Sequence, residues 1–233
     1  MEQQESKKKF GISKIKFDDF NSGVGVSDVK YNLLIGGMVL YGLIVNLVMC
    51  LTCTQFAMSI NPIVFFVGYL ALVFVGTSLI YKSQSNVVRF IGYNLIVVPL
   101  GLVISIAVQT YGGLGSQVVT QAFVYTIIIT AVMVMLSIAF PQFFSKIGFM
   151  LFGCLIGMLI AFLIVMLLGM NTIVISYFGA VLFSLYIGYD FWKAQQLPHT
   201  VGNAIASACD IYVDIVNLFM FLLEIFGDSS SSK

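Results

Sequence analysis

Residues 209–224 read CDIYVDIVNLFMFLLE, and the fold turns on what this stretch is. Its hydropathy is that of a membrane-crossing helix, yet it holds Asp210, Asp214 and Glu224. On a helix of about 3.6 residues per turn, Asp210, Asp214, Asn217, Phe221 and Glu224 fall within one arc. The other faces carry Ile211, Val213, Ile215, Val216, Leu218, Phe219, Leu222 and Leu223. A carboxylate facing lipid is costly, so the stripe has to face protein or water. With the remaining faces apolar all round, the stretch is expected to form a central helix ringed by others. Its polar stripe would extend about 21 Å, most of the hydrocarbon thickness.

The rest of the chain supplies the ring. Of 233 residues 60% are hydrophobic and only 9% charged, too little charge to cover a soluble domain of this size. Seven apolar stretches have the length a helix needs to cross a bilayer: 31–53, 62–81, 87–109, 118–140, 147–168, 173–192 and 203–226. The expected fold is an all-α membrane protein of seven transmembrane helices, the last one central and surrounded by the first six. Its parts are a polar segment 1–29, a bundle 30–227 and a short polar tail 228–233 without an anchor signal. Asn61-Pro62, Gly112-Gly113, Pro141, Gly169 with Asn171, and Pro198 punctuate the connectors. Residues 1–29 lack an apolar h-region, so no cleavable signal peptide is expected and the first span serves as the insertion signal.

Basic residues set the orientation. Lys7, Lys8, Lys9, Lys14, Lys16 and Lys30 precede the first span, partly balanced by Asp18, Asp19 and Asp28. Lys82 and Arg89 lie between the second and third, Lys146 between the fourth and fifth, and Lys193 follows the sixth. The alternate connectors TCTQFAMSIN, TYGGLGSQ and GMNT carry no charge. Basic loops stay on the cytoplasmic side, so the N-terminus is expected inside a cell membrane. Seven full spans would then put the C-terminus outside, and a re-entrant last segment would return it inside.

Other features point to packing. Gly153 and Gly157 form a GxxxG in the fifth span, read as a close helix contact within the bundle. Pro99 should kink the third span beside a cavity. Tyr81, Tyr111 and Trp192 suit interfacial anchoring, and Asn46, Asn94 and Gln121 suit hydrogen bonds between helices. Cys50, Cys53, Cys154 and Cys209 read as buried thiols rather than a metal or redox set. His199, the only histidine, reads as a solvated loop residue, which argues against a histidine-based metal site.

A second acid stands across a short connector from the stripe. FSLYIGYD ends the sixth span with Asp190 in its last turn, and antiparallel packing would bring Asp190 to Asp214. Two carboxylates in one poorly solvated site cannot both ionise cheaply, so they would share a proton near neutral pH. Its loss would introduce repulsion across the helix pair: protonated and closed, deprotonated and opened. The plainer alternative is that each aspartate caps a helix or bonds to a tyrosine, an asparagine or Lys193.

FSLYIGYD followed by YVDIVNLF resembles the signature of the transmembrane Bax inhibitor motif family. The matching positions are Tyr189, Asp190, Tyr212, Asp214, Asn217, Leu218 and Phe219, within 183–227. The resemblance implies a seven-helix fold with an enclosed last helix. It also implies a pH-sensitive calcium leak governed by an aspartate pair matching Asp190 and Asp214. The chain departs from the pattern at Glu224, where relatives carry a basic residue, and at Asp210, an extra acid. The second span holds no acid, and Lys82 or Arg89 is the nearest candidate for the usual basic partner.

The expected function is a calcium-permeable cation leak gated by protonation of Asp190 and Asp214. The pair would also ligate calcium transiently, with Asp210, Asn217, Glu224, Tyr189 and Tyr212 as pore or motif residues. The expected permeant species are Ca2+ and H+, with no cofactor, no nucleic-acid partner and no enzymatic activity. The lipid bilayer, calcium and other membrane proteins are the partners. Alternatives are a non-conducting regulator that binds membrane proteins such as a protease, and a proton-coupled transporter. An intramembrane aspartyl protease needs Gly-x-Gly-Asp where this chain reads Ile211-Tyr212-Val213-Asp214, and a retinal protein needs a lysine that the last helix lacks.

Overall fold

The computed structural model describes residues 25–231; the lysine cluster 7–16 lies outside them. Among the described residues there are eight helices and no strand: α1 Asp28–Thr52, α2 Thr54–Ser59, α3 Pro62–Lys82, α4 Asn86–Thr110, α5 Gln117–Ala139, α6 Pro141–Leu167, α7 Ile173–Gln195 and α8 Val201–Ser231. Six of them, α1 and α3 to α7, are long and apolar enough to cross a membrane.

Local chemistry fixes their ends. Ser27 caps α1 by accepting from the Lys30 amide, and Ser116 caps α5 by accepting from that of Val119 at 3.1 Å. Asn61 caps α3, with Pro62 in the first turn where its missing N–H costs nothing. Pro141 likewise opens α6, which therefore starts before the expected residue 147. At their C-terminal ends, α4 and α6 close in Schellman motifs. The Gly112 and Gly169 backbones turn left-handed at φ +95° and +64°. The next amides reach back to Val108 O at 2.9 Å and Val165 O at 3.0 Å. Two further boundaries differ from the sequence reading: α2 fills part of the first uncharged connector, and α8 runs on through residues 228–231.

Helix α8 packs against α1, α3, α4, α5 and α7, whereas α6 lies on α5 and α7. Its fully buried residues include Asn203, Ala204, Ala208, Tyr212, Leu218 and Leu223. Close approaches elsewhere rest on glycine. A Cβ at Gly76 would stand 2.6 Å from the Gly92 carbonyl, and one at Gly92 2.7 Å from that of Gly76, so α3 and α4 touch backbone to backbone. The GxxxG of α6 does not work this way. Among the described residues nothing lies within 4 Å of a Cβ built at Gly153 or Gly157, so the expected contact within the bundle is absent there. Those glycines sit on a face turned away from the rest of the chain. Pro99, inside α4, borders an apolar groove of about 410 Å³ with Leu72, Phe90 and Val98.

Candidate functional site

Helices α7 and α8 run antiparallel, and the polar stripe of α8 lies along α7. The contacts fall in sequence order. Lys193 meets Asp210, Asp190 meets Asp214, Phe183 stacks on Phe221 with ring centroids 5.8 Å apart, and Thr172 donates to Glu224. A Cβ at Gly179 would stand 2.6 Å from the Phe221 ring, so this glycine admits the aromatic side chain into the seam. The stripe therefore faces protein, as the cost of exposing it to lipid requires.

The acids gather at the end of the bundle that carries Lys30, Lys82, Arg89 and Lys193, where α3 and α7 finish and α4 and α8 begin. Asp214 is 6% exposed and lies within hydrogen-bonding reach of Asp190. Its Oδ2 finds no donor among the described residues. A carboxylate oxygen in that position is costly, and a proton held between the two carboxyls would supply the missing hydrogen bond. One turn toward the water, Asp210 accepts the Tyr81 hydroxyl on one oxygen and the Lys193 ammonium on the other at 3.1 Å. The same ammonium lies 3.4 Å from Asp190 Oδ1. Of the two aspartates for which a bond to Lys193 is the plainer alternative, Asp190 makes it, while Asp214 lies against Asp190.

Several expected site residues point elsewhere. Tyr189 packs against Gly148 of α6 and tilts against Trp192, away from the acids. Tyr212 faces α1 and α4, its hydroxyl accepting from Asn46 Nδ2 at 2.6 Å and its ring meeting Tyr93 edge-on. Asn217 donates to Val213 O of its own helix. Of the two residues suggested as basic partner, Arg89 is buried with Nε on Ser83 O at 2.8 Å, and Lys82 is exposed. Among the described residues, the cation bonded to Asp190 and Asp210 is Lys193. Asn46 and Asn94 do bond between helices, Asn94 accepting from the Tyr41 hydroxyl at 2.7 Å.

The loop histidine is not a freely solvated residue. His199 stacks on Tyr31 with centroids 4.3 Å apart, and its Nδ1 lies 2.9 Å from Asp28 Oδ1. Val26 N donates to its carbonyl, and the Tyr31 hydroxyl donates to Ala194 O at 3.1 Å. The start of α1 is thereby tied to the α7–α8 connector. The aromatic spacing gave no warning, because Tyr31 and His199 are remote in sequence.

The four cysteines are free thiols. Among the described residues no group of three or more His, Cys, Asp or Glu is placed to hold a metal ion.

These features define a multi-pass helical membrane protein with ionisable groups buried between two of its helices. The sequence model of the family described as "Inhibitor of apoptosis-promoting Bax1" matches residues 28–231, and the chain belongs to this Bax inhibitor family. It is similar to human Protein lifeguard 3, 30% identical over 72% of this chain and 57% of that protein. It is also similar to Inner membrane protein YbhL of Escherichia coli, 27% identical over 70% of this chain and 72% of that one. A protein of Helicobacter pylori is 35% identical over 55% of this chain and 53% of its own length. The chain thus spans little more than half of the human and Helicobacter relatives.

Proposed function

We propose that this protein is a pH-sensitive calcium leak of a cell membrane, gated by a proton shared between Asp190 and Asp214. In this reading α8 is the seventh span, enclosed by the others, and the N-terminus is cytoplasmic. One observation carries it: two carboxyls from adjacent antiparallel helices lie within hydrogen-bonding reach, one of them buried with an oxygen that has no donor among the described residues. Neutral amides or apolar residues would hold α7 against α8 without that cost. A pair that needs a proton to stay together makes the contact a switch.

The sign follows from the charges. At low pH the pair holds its proton, the hydrogen bond joins α7 to α8, and the path is closed. As pH rises the proton leaves, two negative charges face each other across the seam, and the helices separate. Flux should therefore rise with pH. Calcium suits the opened site because carboxylate oxygens are its preferred ligands and the charge density favours divalent ions.

Purified protein in liposomes, loaded with a calcium indicator and assayed from pH 6 to 8, tests the reading. Asp190→Asn and Asp214→Asn should each flatten the pH profile. A wild-type profile in both variants would sink the latch. The alternative of a non-conducting regulator has one feature in its favour, the uncovered Gly153–Gly157 face of α6. Retained capture of a membrane protein without any ion flux would select it.

A further inference from the structure

Among the described residues, Asp190 and Asp210 share a cation at the basic end of the α7–α8 seam, with Asp214 one turn deeper. Lys193 leaves the last turn of α7 three residues after Asp190, and its ammonium bridges Asp190 of α7 and Asp210 of α8. Its side chain is 28% exposed, so it reaches the cluster from the water side. Asp214 lies deeper, 6% exposed, with Oδ2 lacking a donor. Tyr81 reaches in from α3 and holds the other oxygen of Asp210.

Resting on the leak reading above, we propose that Lys193 is a tethered counter-cation. Its ammonium occupies the cation subsite at the mouth of the acid cluster, and a permeant divalent ion gains that subsite by displacing it. The residue type suits the task. Lysine carries a compact charge on a flexible four-carbon stem, whereas the planar fork of arginine would lock onto carboxylates two bonds at a time. The stem starts at a helix end and is partly in water, so it can swing out without crossing packed side chains. Displacement exchanges one charge for two at a similar distance, which doubles the Coulomb attraction and disfavours monovalent competitors. Lys193 thereby sets the calcium concentration at which the leak begins to fill.

The test uses the full chain in lipid nanodiscs with terbium(III) as probe, excited through tyrosine and displaced by calcium. Removing the tethered charge in Lys193→Gln should tighten apparent calcium affinity roughly tenfold, the scale of one nearby charge in a partly solvated site. Lys193→Arg should bind calcium no more tightly than the wild type. In liposomes the glutamine variant should half-saturate at roughly tenfold lower calcium. Should it fail to fold, Lys193→Met carries the same test. Wild-type affinity in the folded Lys193 variants, or a terbium signal that survives Asp190→Asn with Asp210→Asn, would overturn the assignment. Absence of flux from every variant, with binding still tightened, would remove the leak reading and leave the lysine assignment standing.

Discussion

The two ends of the α7–α8 seam are built from the same stripe and solve the burial of a carboxylate differently. At the basic end, Asp210 is met by a tyrosine and a lysine, but Asp214, one turn deeper, lies against Asp190, and its Oδ2 finds no donor among the described residues. At the opposite end Glu224 accepts the hydroxyl of Thr172 and keeps partial exposure. Between them Phe221 and Phe183 close the seam with an aromatic contact beside Gly179. Spacing on the helix places all the acids alike; their neighbours differ from one end of the seam to the other, and on the proposed reading only the Asp190–Asp214 contact depends on a proton.

The contrast is easiest to break at its strongest point. A latch that releases one proton changes the open population by up to about tenfold per pH unit. Asp214→Asn replaces the proton-dependent contact with a permanent amide–carboxylate hydrogen bond. It should reduce the ratio of calcium flux at pH 8 to that at pH 6 to near one, read in the liposome assay. A ratio that survives would move the pH sensor away from this end altogether. The Lys193 substitution comes next in size, because it shifts the calcium dependence while leaving the pH slope in place.

Much of this arrangement is legible in the chain. The 3.6-residue repeat puts Asp210, Asp214, Phe221 and Glu224 on one face, and the cost of exposing them to lipid turns that face toward protein. Charge in alternate connectors sorts the helix ends, and the short link after Gln195 makes α7 and α8 antiparallel neighbours. Sequence could not say which neighbour serves which acid. Tyr81 reads as an interfacial anchor until α3 is seen to end beside Asp210, and Thr172 reads as a connector residue until it faces Glu224. Tyr189 and Tyr212, though part of the motif, turn to α6 and to α1 and α4 because small residues there, Gly148 and Gly42, leave room for their rings. Close approach is also misjudged by motif. The paired glycines of α6 look outward, while Gly76 and Gly92, which form no short motif, bring α3 and α4 into backbone contact.

The aromatic middle of the seam separates packing from charge. A side chain at Gly179 would collide with the Phe221 ring, which cannot yield freely while stacked on Phe183. Gly179→Val should therefore cost about 2 kcal/mol through overpacking. A lower unfolding temperature in detergent would register it. Because no titrating group is touched, the pH midpoint of flux should stay where it is. A shifted midpoint would mean that the two ends are mechanically coupled through the aromatic contact rather than independent.

The smallest effect is expected at the far end, and it is the most discriminating. Glu224→Gln keeps an oxygen that accepts from Thr172 and removes only the charge. Because the residue is partly exposed and no cation is bonded to it among the described residues, loss of that charge should change stability by less than about 0.5 kcal/mol. The unfolding temperature, the pH midpoint and the calcium dependence should all match the wild type. Were this variant to flatten the pH profile as Asp214→Asn does, protonation at either end would be moving the seam as one rigid unit. The difference between the ends would then be one of burial alone. An unchanged profile assigns the switch to the end where Asp214 lies against Asp190.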